Sequence, residues 1–197
     1  MKRFISILSA ILLLSAAVFA DDDYFEDDEE YDDGYVYEQN GAGDQFLKVD
    51  MGANFPLNFK GKVYVGASAS VGYYYFLNSN FALGGDAIIG YNLSIGKKSL
   101  ITVPVTVGAM YQPIVGKFEF PLMLNIGFGS TTCQTMTYFP SLAMKFTGGA
   151  FYRYSESWSF GLSSNTYWIP QWKTGEHKDK SDHGIFTSLG LSVRYHF

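Results

Sequence analysis

Apolar and polar residues alternate one by one along residues 47–59. Because successive side chains of a β-strand point to opposite faces, this alternation assigns each residue to a face. One face is apolar and consists of Leu47, Val49, Met51, Ala53, Phe55, Leu57 and Phe59. The other face consists of Lys48, Asp50, Gly52, Asn54, Pro56 and Asn58. The pattern predicts a strand with one face in an oily medium and the other in a polar one.

The same alternation recurs seven more times, with turn-forming residues between the repeats. The further predicted strands span residues 63–77, 81–95, 101–111, 118–128, 142–152, 158–168 and 185–197. Short turns are expected after the second, fourth and sixth strands, and longer loops at about 129–138 and 171–183. None of the eight apolar faces carries a charged residue.

The composition of the polar face decides between a soluble barrel and a membrane barrel. A soluble barrel needs a water-facing surface dense in Lys and Glu, but these polar faces are mostly Gly, Ser, Thr and Asn. From Val63 to Gly96 the only charged residue is Asp86. Small polar residues suit a narrow interior, and a Lys or Arg on the lipid face would cost about 2–4 kcal/mol at the bilayer midplane. The sequence therefore predicts an all-β fold, an eight-stranded antiparallel up-and-down transmembrane β-barrel with short periplasmic turns.

Two segments are expected to precede the barrel. Residues 1–20 begin with Lys2 and Arg3, continue with a short apolar run and end in small residues, which is typical of a cleaved signal peptide. Residues 21–40 hold 11 of the 19 acidic residues and no Lys or Arg, so residues 21–43 are expected to form a disordered acidic periplasmic leader. The barrel is assigned to residues 44–197. Its single cysteine, Cys133, is expected to be a free thiol.

Outward-facing aromatic residues concentrate at one end of the predicted barrel, where both chain termini lie. Such residues are enriched at membrane–water interfaces, so we expect them to form an interfacial girdle. The predicted girdle consists of Tyr73, Tyr75, Phe81, Tyr111, Phe118, Tyr152 and Trp158, with Trp168 at the opposite rim.

Six charged residues fall at inward-facing positions. They are Lys48, Asp50, Asp86, Glu119, Lys145 and Arg194. The first and last strands must pair to close the barrel, which predicts that Lys48 and Asp50 lie near Arg194. Buried charges persist when they are paired and hydrogen-bonded, so we expect an ion-pair network across the lumen. This network either fills and fixes the barrel or acts as a gate.

The most specific motif is the C-terminal sequence Ser188-x-Gly190-x-x-Val193-x-Tyr195-x-Phe197. Together with the strand pattern, it makes residues 44–197 resemble the small eight-stranded outer-membrane barrel proteins, which include the OmpA transmembrane domain, OmpX and OmpW. The resemblance implies that Gly190, Val193, Tyr195 and Phe197 form the insertion signal read by the barrel-assembly machinery. It also implies outer-membrane lipid as the surroundings, that machinery and periplasmic chaperones as transient partners, periplasmic termini and loops at the cell surface.

Eight strands leave room for side chains or one small ligand, which argues against a wide diffusion pore. We expect an envelope-structural protein or a narrow, internally ion-paired pore for small solutes. The expected state is a monomer without enzymatic activity, cofactor, metal or nucleic-acid partner.

Two alternatives stay open. The protein could be a surface adhesin that binds an extracellular ligand through loops 129–138 and 171–183, beside which Tyr138, Phe139, Trp168 and Trp172 lie. It could also be a lipid-modifying enzyme, because the last loop contains His177, Asp179, Ser181, Asp182 and His183. Nothing in that polar stretch fixes a catalytic geometry, and two histidines six positions apart are a weak metal signal. We interpret His196 as a lumen residue.

Overall fold

The computed structural model describes residues 40–58, 63–94, 96, 98–133, 136–171 and 182–197, without the side chains of residues 136–140, 171 and 182. The predicted signal peptide and most of the predicted leader lie outside the described residues. No helix in these ranges is long and apolar enough to cross a membrane.

The described residues form one closed β-sheet. Its strands are β1 (Gln45–Pro56), β2 (Gly66–Phe76), β3 (Phe81–Leu93), β4 (Ser99–Tyr111), β5 (Ile114–Val115), β6 (Phe118–Glu119), β7 (Leu122–Cys133), β8 (Met136–Arg153), β9 (Trp158–Gln171) and β10 (Asp182–His196). All pairings are antiparallel, and β1 pairs with β10, which closes the sheet. Because β6 and β7 both pair with β8, they share one position in the wall. The predicted eight-stranded antiparallel barrel is confirmed.

The two ends of the barrel differ. Tight turns follow β2, β4 and β8 at the end where β1 begins and β10 finishes, and we call this the terminal end. There the backbones of Gln45 and Phe197 exchange two hydrogen bonds, at 3.2 and 3.0 Å. The connections after β1, β3, β7 and β9 lie at the opposite end, which we call the loop end.

The side chains alternate between the two faces of the wall as the sequence pattern predicts. Met51 is 67% exposed and Leu191 71% exposed, whereas Lys48 and Arg194 are fully buried. The outer surface is thus apolar and the interior polar, the reverse of a water-soluble barrel. An apolar outer wall and a closed ladder are what a hydrocarbon environment requires, because they leave no unpaired sheet edge facing lipid.

The predicted loop at 129–138 is wrong. β7 continues to Cys133 and β8 starts at Met136, and these two residues pair with each other. A register shift between Gly129 and Thr131 allows the ladder to continue. The segment lacks the apolar alternation that marks the other strands, but its threonines and aromatic residues have high β propensity, and ladder pairing does not need an apolar face.

The predicted strand 118–128 is interrupted. A small hairpin of β5 and β6 turns at Gly116, which has a φ of 57°, and the ladder breaks at Phe120 and Pro121 before β7 begins. Proline cannot donate a backbone hydrogen bond, which accounts for the break. The outward positions keep the predicted parity across it, so Phe118 and Leu122 both stay exposed.

Candidate functional site in the barrel lumen

Three layers of side chains fill the lumen. An apolar cluster lies at the terminal end and contains Phe46, Tyr74, Phe76, Ala82, Met110 and Met123. A second apolar cluster lies at the loop end and contains Ile88, Leu100, Ala143, Tyr167, Ile169 and Phe186. The charged residues lie between the two clusters and around the first. We call the first apolar cluster the terminal cluster, the second the loop cluster, and the charged residues the charged layer.

Each apolar cluster contains a pair of parallel aromatic rings. The rings of Phe46 and Tyr74 have centroids 5.2 Å apart and planes inclined by 11°. The rings of Tyr167 and Phe186 are also 5.2 Å apart, with an angle of 16°. All four side chains are inaccessible to solvent or nearly so. The two stacks therefore obstruct the lumen on both sides of the charged layer.

In the middle of the barrel, two lysines pair with two aspartates. Lys48 Nζ lies 2.9 Å from Asp50 Oδ2, which also accepts a hydrogen bond from Ser70 at 2.7 Å. Lys145 forms a salt bridge with Asp86. All four charged side chains are at most 6% exposed. All four side chains lie in the lumen.

The Asp86 carboxylate is the centre of a wider network. The Tyr74 hydroxyl donates to Asp86 at 3.0 Å, and the Thr106 hydroxyl donates to it at 3.1 Å. Asn125 donates to the Tyr74 hydroxyl, also at 3.0 Å. A buried carboxylate needs such partners to offset its lost hydration. The network joins residues of β2, β3, β4, β7 and β8 across the lumen.

At the terminal end, Glu119 accepts from two arginines. Arg194 Nη1 lies 3.3 Å from one carboxylate oxygen, and Arg153 Nη1 lies 3.1 Å from the other. Lys48 is opposite Arg194 in the β1–β10 ladder, as predicted from closure, but Arg194 pairs with Glu119 and Asp50 pairs with Lys48.

Arg194 is held by more than its charge partner. It donates to Gln112 at 2.8 Å, and its guanidinium lies over the rings of Phe151 at 3.5 Å and Phe46 at 4.8 Å. A guanidinium suits such a place because it is less strongly hydrated than an ammonium and stacks on aromatic faces.

Arg153 is a lumen residue that was not among the six predicted inward charges. It follows the outward-facing Tyr152, so its inward parity was a usable signal, but its proximity to the turn at 155–157 concealed it. Arg153 also donates to the backbone carbonyls of Ser155 at 3.1 Å and Glu156 at 2.7 Å. His196 lies beside Arg153 and within 2.6 Å of Ser159 Oγ, inside the lumen as interpreted. The described lumen thus holds four bases and three acids besides His196.

An amide network closes the loop end. Asn54 donates to Asn92 Oδ1 at 2.8 Å, and the Tyr167 hydroxyl donates to Asn54 Oδ1 at 3.0 Å. Gly90 lies against this network, because a Cβ there would come within 3.0 Å of the side chains of Thr102, Tyr167 and Asn54. The network ties β1, β3 and β9 together.

Beside the charged layer there is a cavity of about 10 Å³. Its polar lining includes Asp50, Ser70, Ser163 and Asn165. A space of that size is near the lower limit for one water molecule. This cavity is therefore too small to serve as a channel.

The residues of the predicted catalytic alternative are mostly outside the described structure. His177, Asp179 and Ser181 lie in the undescribed segment, and the side chain of Asp182 is not described. His183 is exposed at the start of β10. Within the described residues, no group of three or more His, Cys, Asp and Glu side chains could hold a metal ion.

A protein-family model matches residues 26–195. The chain belongs to that family. Two uncharacterized proteins of Treponema pallidum (strain Nichols) are related to it. One is 27% identical over 179 residues, which cover 82% of this chain and 80% of the relative. The other is 26% identical over 160 residues, and the match covers 75% of this chain and 55% of that relative.

Solved structures of other proteins share the fold of this chain. Neisserial surface protein A (NspA) superposes with a TM-score of 0.63 at 11% identity, over 78% of this chain and 98% of NspA. OprG, an outer membrane protein of Pseudomonas aeruginosa, gives a TM-score of 0.52 at 12% identity, over 81% and 98% of the two chains. The fold is that of the small eight-stranded outer-membrane barrels.

On the outside of the barrel, seven of the eight predicted girdle residues are exposed side chains. Tyr73, Tyr75, Phe81, Tyr111, Phe118, Tyr152 and Trp158 are 41–50% exposed and lie toward the terminal end. The tilted rings of Phe81 and Tyr111 have centroids 5.0 Å apart, and those of Phe118 and Tyr152 have centroids 5.4 Å apart. Trp168 is half-buried near the loop end.

The four residues of the C-terminal motif lie on the closing strand of the barrel. Gly190 is opposite Gly52, and a Cβ on either glycine would come within 2.2 Å of a carbonyl oxygen on the other strand. Tyr195 and Phe197 are exposed, and their rings are 6.0 Å apart. Val193 is half-buried on the same outward face.

Proposed function

We propose that this outer-membrane barrel is a structural protein of the bacterial envelope whose lumen is closed to solutes. The observation that carries this proposal is the filling of the lumen, where the Phe46–Tyr74 and Tyr167–Phe186 stacks lie on both sides of a paired charged layer. A pore needs a continuous polar path. Here the two aromatic stacks and the paired charges fill the lumen, so we expect the charged layer to brace the wall rather than to conduct.

The proposed orientation places the terminal end in the periplasm and the loop end at the cell surface. Exposed aromatic residues toward the terminal end, such as Tyr73 and Trp158, support one membrane interface there, and Trp168 near the loop end supports the other. Between Ile185 and Tyr195 a tilted strand rises by about 25 Å, which matches the apolar band of outer-membrane barrels. Lipid is therefore the main partner of the wall.

We further propose that the protein acts as a monomer and that Gly190, Val193, Tyr195 and Phe197 serve as its insertion signal. Tyr195 and Phe197 support this role because they stay exposed at the end of the closing strand. Barrel-assembly machinery and periplasmic chaperones would then be partners only during biogenesis.

The decisive experiment is single-channel recording in a planar bilayer, using refolded protein that lacks residues 1–20. We expect no openings for the native chain, for Asp50→Ala or for Arg194→Ala, because both aromatic stacks remain in each variant. A shift in gel mobility on heating confirms that each barrel is folded. Discrete native openings that either substitution enlarges would contradict the closed lumen and identify a narrow pore gated by the ion pairs.

A second candidate function is ligand binding at the cell surface. One observation favours it: the last β8–β9 pair is Met144–Trp168, whereas the β7–β8 ladder continues to Cys133–Met136. The β7–β8 ladder thus extends beyond the β8–β9 ladder at the loop end. Deletion of residues 172–182 should abolish binding to host cells or matrix if the last loop is also needed. Binding that survives this deletion would exclude that loop.

We propose no enzymatic activity. Lipid-directed catalysis by the last loop would require His177 or His183. The lipid profile of cells that produce the double variant His177→Ala/His183→Ala should match that of cells with the native protein and of cells without it. A lipid species that appears only with the native protein would establish the enzymatic alternative.

A further inference from the structure

The dipeptide Asn40-Gly41 lies at the terminal mouth of the lumen, just before β1. Asn40 is 2% exposed, and its Oδ1 accepts a hydrogen bond from Arg153 Nη1 at 3.2 Å. The backbone N–H of Gly41 donates to Asp44 Oδ2 at 2.7 Å. A cation therefore contacts the side-chain amide oxygen, and a carboxylate contacts the next backbone nitrogen.

We propose that Asn40 is a site of self-catalysed deamidation, with Asp44 as the general base and Arg153 as the group that polarises the amide. This chemistry follows from the two contacts. A base must lie within hydrogen-bond reach of the proton that it removes, and 2.7 Å satisfies that condition. A donor aimed at the oxygen on which negative charge develops lowers the barrier, which is the position of Arg153.

The reaction balances without an oxidant or reductant. The backbone nitrogen of Gly41 attacks Cγ of Asn40 and forms an N–Cγ bond, while its proton passes to Asp44. The electron pair of the carbonyl moves to Oδ1, beside Arg153. When the carbonyl reforms, the Cγ–Nδ2 bond breaks, and the nitrogen leaves as ammonia with the proton from Asp44. Water then hydrolyses the cyclic imide and leaves an aspartyl or isoaspartyl residue at position 40.

The local backbone is open to this attack. Gly41 carries no side chain that would hinder its nitrogen, and a Cβ there would meet only Asp44 Oδ2, at 3.9 Å. Asn40 is also the single asparagine in the chain that precedes a glycine. Gly43 has a φ of 104°, which turns the chain so that Asp44 returns to Gly41.

The product would improve the charge balance of the lumen. The described interior holds four bases and three acids besides His196, and both Arg153 and Arg194 depend on Glu119. A carboxylate at position 40 would be a fourth acid, beside Arg153. The folded barrel therefore favours the product as well as the reaction.

The test is a comparison of deamidation rates in folded and urea-unfolded protein at neutral pH, followed by intact mass and peptide mapping. If Asp44 and Arg153 promote the reaction, Asn40 reacts faster in the folded barrel than in the unfolded chain. Asn78, which precedes Ser79 in an exposed turn, is the internal reference. A folded rate at or below the unfolded rate would overturn the proposal, because the dipeptide alone would then account for any reaction.

The variant Asp44→Asn distinguishes general-base catalysis by Asp44 from the intrinsic reactivity of the Asn-Gly dipeptide. Asp44 is exposed, so the variant should fold, and its folded-state rate at Asn40 should fall by about tenfold or more while its unfolded rate stays unchanged. Glu156→Gln, an exposed carboxylate at the same end, is the matched control and should react as the native protein does. An equal rate in Asp44→Asn and native barrels would overturn the assigned role.

Discussion

Glu119 on β6 and Arg153 on the neighbouring β8 are joined inside the barrel by a 3.1 Å hydrogen bond at the terminal end. The other oxygen of Glu119 lies 3.3 Å from Arg194, so one carboxylate balances two guanidinium groups. All three side chains are at most 6% exposed. Their charges depend on one another, because buried charges need paired partners to offset their lost hydration.

Glu119→Gln should destabilise the barrel by about 3–5 kcal/mol, since it leaves two buried arginines without their shared counter-charge. The measurement is the free energy of unfolding in urea, with the protein refolded in lipid vesicles. Glu156→Gln is the control, because that side chain is exposed at the same end, and its unfolding should stay close to native. A loss below about 1 kcal/mol for Glu119→Gln would mean that the arginines find other partners.

Alternation was sufficient to predict the wall of this barrel, but pairing across the lumen was not predictable. The face of each residue follows from a period of two, which predicts the outward positions of Met51 and Leu191. Which acid meets which base depends on register, tilt and side-chain reach, which sequence parity does not contain. Arg194 therefore pairs with Glu119 rather than with Asp50, its expected neighbour.

The irregular segments of the barrel were also not predictable from alternation. The hairpin ending at Cys133 and Met136 forms a ladder without an apolar face, so alternation could not reveal it. The aromatic stacks of the lumen were not predictable either, because an inward Tyr or Phe only interrupts a polar face in the sequence and does not indicate its partner. Two of these exceptions, Tyr74 and Tyr167, anchor the hydrogen-bond networks.

Gly84→Ala should destabilise the barrel by about 1–3 kcal/mol, because the added methyl group has no space. A Cβ at this position would lie 2.2 Å from the Tyr73 carbonyl oxygen and 2.6 Å from the Tyr74 ring. Displacing that ring also disturbs its hydrogen bond to Asp86. Urea unfolding in vesicles measures the change.

Gly148→Ala is the matched control for that substitution. Gly148 also lies in a strand, but a Cβ there would meet only Leu122 Cδ2, at 3.8 Å. Its unfolding free energy should change by less than about 0.5 kcal/mol. Equal losses in the two variants would show that glycine flexibility, not the Tyr74 contact, is responsible.

Tyr167→Phe should cost about 1 kcal/mol, because it removes the donor to Asn54 and leaves a buried amide oxygen with one partner fewer. Thermal denaturation in detergent, followed by the heat-dependent gel shift, measures the change. Tyr91→Phe is the control, since Tyr91 is an exposed outward residue. If both variants denature at the native temperature, the amide network does not contribute to stability.

The lipid face predicts a depth-dependent response to charge. Leu191 is 71% exposed midway along β10, and Leu57 is 49% exposed next to the loop end of β1. Leu191→Arg should cost about 2–4 kcal/mol of unfolding free energy in a bilayer, whereas Leu57→Arg should cost about 0–1 kcal/mol. The reason is that an arginine near the midplane must enter hydrocarbon, while one at the rim reaches water. Equal costs for the two variants in vesicles would contradict the proposed placement of the barrel in the membrane.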